Sequence, residues 1–291
     1  MGNINYAQAS TSTTWQPSEQ GVGDIGNLQQ GDVFKVWMPR LDLKITVKAQ
    51  DIAPIFALES WIAFKRIGKE SVMRGDLLLT PDEVAPAISS LQNNDIQIIG
   101  LHQVLLYESP QVVSLRISGR GEPKRLAQAV KTAFKAAKVS AMPPIGNESV
   151  AKEEALFEEM GPRMLQDIRE IIGMKGNVVG PMLRFTFPRA ERIVEQGTEI
   201  PAAMGSGSVI SFITGDQDSV ATSGTLVLLA KEVALVTRVL RTNDIEITAL
   251  NNCFLNEQPR LFCMRFWASG DTTALATGLR TALDKMNVKR R

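Results

Sequence analysis

The chain is predicted to be α+β, built as two tandem homologous units, each an antiparallel sheet with helices packed on one face, in a ferredoxin-like order with extra strands. Three observations predict it. Displacing the sequence against itself by 149 residues aligns 33–137 with 182–286. Within 75–137 against 224–286, 21 of 63 positions are identical, where about 6% is expected of unrelated chains. Each copy repeats one order of patterns: short alternating apolar runs, a helix, a pair of strands and a second helix. A length of 291 residues, read at about 100–200 residues per domain, gives about two domains.

Residues 1–32 are rich in Gln, Ser, Thr, Gly and Asn without apolar periodicity and read as a flexible arm. The first unit spans 33–141. Runs at 33–39 and 43–47 read as strands, and 60–67 and 72–79 as a pair joined across Gly68-Lys69. A helix then starts with Thr80 as N-cap, Pro81 at its first position and Glu83 closing a capping box. Its apolar side is Val84, Ala87, Ile88 and Leu91, and Pro86 is expected to bend it. Strands at 96–107 and 111–118 meet at a tight Ser109-Pro110 turn, and a helix follows with Leu126, Val130, Ala133, Phe134 and Ala137 as its stripe. Residues 142–181 form a helical linker, with Pro143-Pro144 breaking the chain and helices at 149–160 and 163–172, the second opened by Pro162 and stopped by Gly173. Its stripe has to be buried, so it should pack on one unit and orient the pair. The second unit, 182–291, repeats the pattern with stripes at Val233, Val236 and Leu240 and at Leu275, Leu279 and Leu283.

Composition excludes several functions. The formal charge of 32 − 31 = +1 lacks the positive excess that holds phosphate backbones, which argues against a nucleic-acid partner. No apolar run reaches the ~18 residues of a membrane span. With one histidine, His102, a single chain cannot supply two imidazole ligands, and any Ser-His or Cys-His catalyst must use that residue. The N-terminus shows no charged segment followed by an apolar one, so any signal peptide has been removed or never existed.

Cys253 and Cys263 flank Asn256-Glu257-Gln258-Pro259. A hairpin centred there would set the two sulfurs opposite each other as a disulfide, while two buried free thiols acting as small apolar residues are the competing reading. His102 with Glu108 near one hairpin tip could form a proton-transfer pair or half a metal site, against a structural imidazole bonded to main chain. Glu108 and Glu257 recur before proline, as turn carboxylates or ligand groups. Arg40 and Arg189 recur after proline at a strand end, as anion ligands or as ion pairs. Arg120, in Gly119-Arg120-Gly121 before a basic helix start, is a further anion candidate beside the plain reading of a strand-to-helix turn. Phe266 and Trp267 alternate on the last strand, so one should face outward and mark a subunit contact.

The strings VFKVWMPRLDLKITV, SWIAFKRIG, MRGDLLLTPDEVAPAISSLQNNDIQIIGLHQVLLYESPQVVSLRISGRG and LAQAVKTAF resemble the LppY/LpqO family of uncharacterised bacterial exported proteins. The resemblance covers about two thirds of the chain. It implies an exported, periplasmic or cell-envelope location and brings no reaction with it. The family pattern commonly carries Leu-His-Asn-His where this chain has Leu101-His102-Gln103-Val104 and Leu250-Asn251-Asn252-Cys253. The second histidine is therefore replaced by Val104, which removes the pair of imidazoles that alternation would have put on one face.

The expectation is an exported, non-enzymatic binding or structural protein that forms a homo-oligomer, with no required cofactor. Two alternatives stand beside it. One is a metal-assisted enzyme using His102, Gln103 and Glu108, with Asn251, Asn252 and Glu257 as their counterparts and a divalent metal completed across a subunit interface. The other is capture of a small anionic ligand by Arg40, Arg189 or Arg120.

Overall fold

The computed structural model describes residues 26–48, 50–52, 56, 59–139, 160–215 and 219–289. The first unit runs β1 (Gly26–Gln29), β2 (Val33–Pro39), β3 (Ile45–Val47), β4 (Gln50–Ile52), β5 (Glu59–Ile67), β6 (Glu70–Leu79), α1 (Pro81–Gln92), β7 (Gln97–Gln103), β8 (Glu108–Ser109), β9 (Val113–Gly121) and α2 (Pro123–Ala136). After α3 (Pro162–Ile172) the second runs β10 (Asn177–Val179), β11 (Met182–Phe187), β12 (Val194–Glu195), β13 (Thr198–Glu199), a 3-10 turn at Ala202–Met204, β14 (Ser208–Thr214), β15 (Ser219–Leu228), α4 (Ala230–Thr242), β16 (Glu246–Asn252), β17 (Glu257–Gln258), β18 (Phe262–Asp271) and α5 (Thr272–Leu283).

The two units share one topology. The first sheet has the order β1-β2-β5-β6-β9-β7, and the second, β10-β11-β14-β15-β18-β16, repeats it strand for strand. All pairs within both are antiparallel. Each unit also carries a small three-stranded sheet, β4-β3-β8 or β13-β12-β17. The tandem α+β architecture read from the repeat is what the chain adopts.

Strand alternation gives each large sheet two buried faces. One face packs under its own helices: Phe34, Val36, Met38, Phe64 and Leu77 meet Leu126, Val130 and Ala133 in the first unit, and Phe185, Phe212 and Phe266 meet Leu275 and Leu279 in the second. The opposite faces bind the units together. Ile45, Val47, Ile52 and Phe56 of the first unit pack on Met182, Ile213, Ala221 and Trp267 of the second. Reciprocally, Ile193, Ile200, Met204 and Phe254 of the second pack on Val33 and Ala63 of the first. Each small sheet thus caps the partner unit.

Several expectations change. A strand, β1, lies upstream of the boundary placed at Val33, and residues 1–25 fall outside the described residues. Similarly, β10 lies within the stretch expected to be linker. The strand expected over 96–107 ends at Gln103, because Val104 and Leu105 turn into the inter-unit core and Val104 O accepts from the Thr248 hydroxyl at 2.9 Å. The helix α1 continues through Pro86. The second linker helix, α3, buries Ile168 and Ile172 in the second unit's core, and Arg280 bonds Ile172 O at 2.8 Å. The helix expected at 149–160 and Pro143-Pro144 lie outside the described residues, save Met160.

Candidate functional site

Between the two large sheets lies a charged layer. Asp76 on β6 and Arg116 on β9 are opposed in register, and Arg265 on β18 is the repeat counterpart of Arg116. Arg265 Nη2 donates to Asp76 Oδ2 at 2.9 Å, Arg116 Nε lies 3.5 Å from the same oxygen, and the Ser114 hydroxyl donates to Asp76 Oδ1. Burial opposes the charge of Asp76, yet Arg265 and Arg116 outweigh it and hold its pKa at about 2. Thr225 stands at the corresponding position of the second unit, so one carboxylate serves both guanidinium groups.

His102 belongs to this layer. Its Nε2 accepts from Arg265 Nε at 3.0 Å, which puts the imidazole proton on Nδ1. Burial, then Arg265, lowers its pKa to about 3. A neutral ring whose free lone pair already faces a guanidinium cannot accept a proton near neutrality, and a cation placed there would meet Arg265. His102 is therefore corrected from metal or proton-transfer candidate to an inter-unit bond. Among the described residues, no three His, Cys, Asp or Glu side chains gather as metal ligands.

The remaining predicted residues also have partners within the fold, although Glu108 Oε2 and Asn251 Oδ1 are buried without one. Arg40 forms paired bonds with Asp42 (2.8 Å) and Glu83 (2.7 and 3.0 Å) and one with Leu78 O at 3.0 Å. Arg189 repeats this with Glu191, Glu232 and Val227 O. Glu83 and Glu232 accept from the backbone N–H before their helices as well, at 2.8 Å each, so one carboxylate caps the helix and clamps the strand end. Of the two readings, the structure shows the ion pair: both arginines are clamps. Glu257 Oε1 accepts from Leu261 N at 2.8 Å, and Glu108 stands in the same relation to Val112 N at 3.5 Å. Burial raises the pKa of Glu108, while Val112 N–H and Gln103 favour its charge. Both carboxylates sit before a cis X-Pro bond and serve their own turns. Asn251 donates to Asn252 O at 2.9 Å, and Arg116 reaches that oxygen at 3.5 Å. Arg120 is exposed and paired with Glu70 at 3.0 Å.

Cys253 and Cys263 are joined as a disulfide across the end of the β16–β18 pair, so both sulfurs are bonded. Phe266 lies in the helix-side core. Trp267 turns to the other face, where it is 5% exposed and meets Phe56 edge-on at 5.7 Å. The aromatic expected at a subunit contact instead joins the two halves of one chain.

Among the described residues, a cleft of about 240 Å³ lies between the first sheet and the loop carrying β12 and β13. Register explains its place. Lys35, Ala63, Arg74, Ser118 and Gln97 form one row across β2, β5, β6, β9 and β7. The equivalent row of the second sheet is Arg184, Ser211, Ser223, Trp267 and Glu246. In the first row Ser118 leaves space that Trp267 fills in the second. The floor of the cleft is Arg74, 3% exposed, ion-paired with Glu195 and stacked over the Phe254 ring at 4.4 Å. Its Nε and Nη1 are buried without a hydrogen-bond partner, and burial lowers its pKa to about 10. Gln97, Ser118, Gln196 and Thr198 add polar walls. Gly119 and Arg120, singled out in the sequence, also line the cleft, but Arg74, Gln97, Ser118, Gln196 and Thr198 did not stand out there. Their signal was the differing positions of the repeat, Arg74 against Ser223 and Ser118 against Trp267.

A family model described as Domain of Unknown Function (DUF1259) matches residues 16–136 and 166–285. No curated protein matches the chain. Among solved structures, a trimeric bacterial microcompartment shell protein, PduB, is similar at 13% identity over 91% of this chain and 92% of that one, with a TM-score of 0.22. EtuB from Clostridium kluyveri is similar at 9% identity over 89% and 88%, with a TM-score of 0.20.

Proposed function

The chain belongs to the family of the Domain of Unknown Function (DUF1259), whose domain it carries twice, and from that premise we propose that it is an exported, non-enzymatic binding protein with one small-molecule site, the cleft over Arg74. The observation that carries this reading is a recess of about 240 Å³ whose lining includes a buried arginine, Arg74, and the polar side chains Gln97, Ser118, Gln196 and Thr198. Arg265, in the same layer, is bonded to Asp76 and does not line this recess. Export is supported by the bridged cysteines, which suit an oxidising compartment, and by the resemblance to the LppY/LpqO family.

Thermal unfolding across a library of sugars, carboxylates, amino acids and phosphates tests the site. A binder at a hundredfold excess over its dissociation constant stabilises by about 2.7 kcal/mol, and Ser118→Trp, which copies the second unit, should abolish that shift. A library without any shift abolished by Ser118→Trp would overturn the reading.

Self-association is a second part of the proposal. Leu101 and Leu250, equivalent in the repeat, are 51% and 49% exposed on the edge strands β7 and β16, and Leu28 and Val178 are exposed on the opposite edges. Unpaired edges with apolar side chains favour assembly. Light scattering should give a mass above that of one chain, lowered by Leu101→Lys with Leu250→Lys; a monomer for the unaltered protein would remove this part.

A further inference from the structure

Within that reading of the cleft, we infer that its ligand is a neutral, hydroxyl-rich molecule of monosaccharide size. Charge balance carries the argument. Each charged side chain lining the cleft already has a partner of opposite sign within the chain. Arg74 holds Glu195, Arg120 holds Glu70 at 3.0 Å, Glu199 holds Arg192 at 3.0 Å, and Asp95 lies 3.7 Å from Arg125. Glu195 also accepts from Asn256 N–H at 3.0 Å, which occupies its other oxygen. A phosphate dianion would enter a balanced site beside three carboxylates, and an amino acid's ammonium would find no carboxylate without a cation. A neutral guest meets neither penalty.

The hydrogen-bonding chemistry agrees. The guanidinium of Arg74 in the lining is donor-only, which suits oxygen acceptors on the guest. Gln97, Ser118, Gln196 and Thr198 on the walls each donate and accept, as sugar hydroxyls do. Val72, Ile200 and Met204 supply an apolar side for the C–H face of a pyranose.

The test is titration calorimetry of the full chain with neutral aldohexoses and aldopentoses, and with glucuronate, glutamate and inorganic phosphate as separate arms. The unaltered protein should bind at least one neutral sugar. Ser118→Trp should abolish that binding, and Gln97→Leu should weaken it about tenfold, the loss of a polar contact worth about 1.4 kcal/mol, with both variants keeping the far-ultraviolet circular dichroism and the cooperative unfolding of the parent. If glucuronate, glutamate or phosphate binds in a way that Ser118→Trp blocks while neutral sugars do not, the sugar assignment is wrong and the cleft stands. If no arm shows binding that Ser118→Trp blocks, the sugar assignment falls and the cleft loses its support among these ligand classes. Should Ser118→Trp fail to fold, Gln97→Leu at the exposed rim decides: sugar binding that it leaves unchanged overturns the inference.

Discussion

Ser118 and Trp267 occupy the same position of the repeat, each paired in register with the residue that follows from the shared topology: Arg74 opposite Ser118, Ser223 opposite Trp267. The hydroxyl leaves a recess and the indole fills one. Two sheets with the same strand order therefore present unlike faces to each other, one with a polar cleft and the other closed by an aromatic plug.

Removing that plug should be expensive. Trp267→Ala deletes a side chain packed against Phe56, Met182 and Ile213 and is expected to cost about 3–5 kcal/mol in urea unfolding. Ser118→Trp, placed into open space, should change stability by less than about 1.5 kcal/mol. Equal costs for the two would show that the cleft is not the vacant counterpart of the plug.

Arg40→Ala and Arg189→Ala are expected to destabilise alike, by about 3–5 kcal/mol each, because each leaves two carboxylates without their buried guanidinium. Ligand binding at the cleft should be unaffected in both. Chemical denaturation of the two variants beside the parent measures the first point, and calorimetry the second.

Acid should loosen the inter-unit layer in two stages. His102 has a folded pKa of about 3 against 6.5, so the unfolded state binds more protons between those values. Its contribution is whole above pH 6.5 and declines as pH falls toward 3, by about 2 kcal/mol between roughly pH 6.5 and 5. Asp76, at about 2 against 3.8, adds stability that is present above pH 3.8 and lost as pH falls through 2. His102→Gln, whose amide oxygen accepts from Arg265 without titrating, should flatten the profile between pH 6.5 and 5 and leave the lower stage in place.

Lys35 predicts the opposite flank. Its ammonium lies 3.9 Å from the Trp61 ring centre and donates to Ala203 O at 3.2 Å, and burial, then Arg184, lowers its pKa from 10.5 to about 7. The unfolded chain holds the extra proton between those values, so stability should rise with pH there, by about 1–2 kcal/mol from roughly pH 7.5 to 9. Lys35→Met should remove the rise. A parent whose stability is level over that range would show that the amine stays charged.

Local pattern made most of the fold legible. The capping Glu83, the stripes on α1 and α2 and the alternation of β5 and β6 are short-range signals, and the repeat doubled each of them. The short strands β1 and β10 were missed because their alternation is too brief to register, and because they are strands only by virtue of pairing with β2 and β11.

The candidate site was legible only in part. His102, Arg40, Arg189, Glu108 and Glu257 stood out as rare or recurring polar residues, and each proved to be held by a partner within the fold. Arg74 and Ser118 recur nowhere and belong to no motif. The sequence by itself determined that two copies of one α+β unit are present, because helix and strand periodicity act over neighbouring residues. Which charges neutralise one another, which aromatic is buried between the units and where space is left over are decided by side chains 100 or more residues apart, such as Arg74 with Glu195 at a separation of 121. Only the packing of one sheet on the other sets those distances.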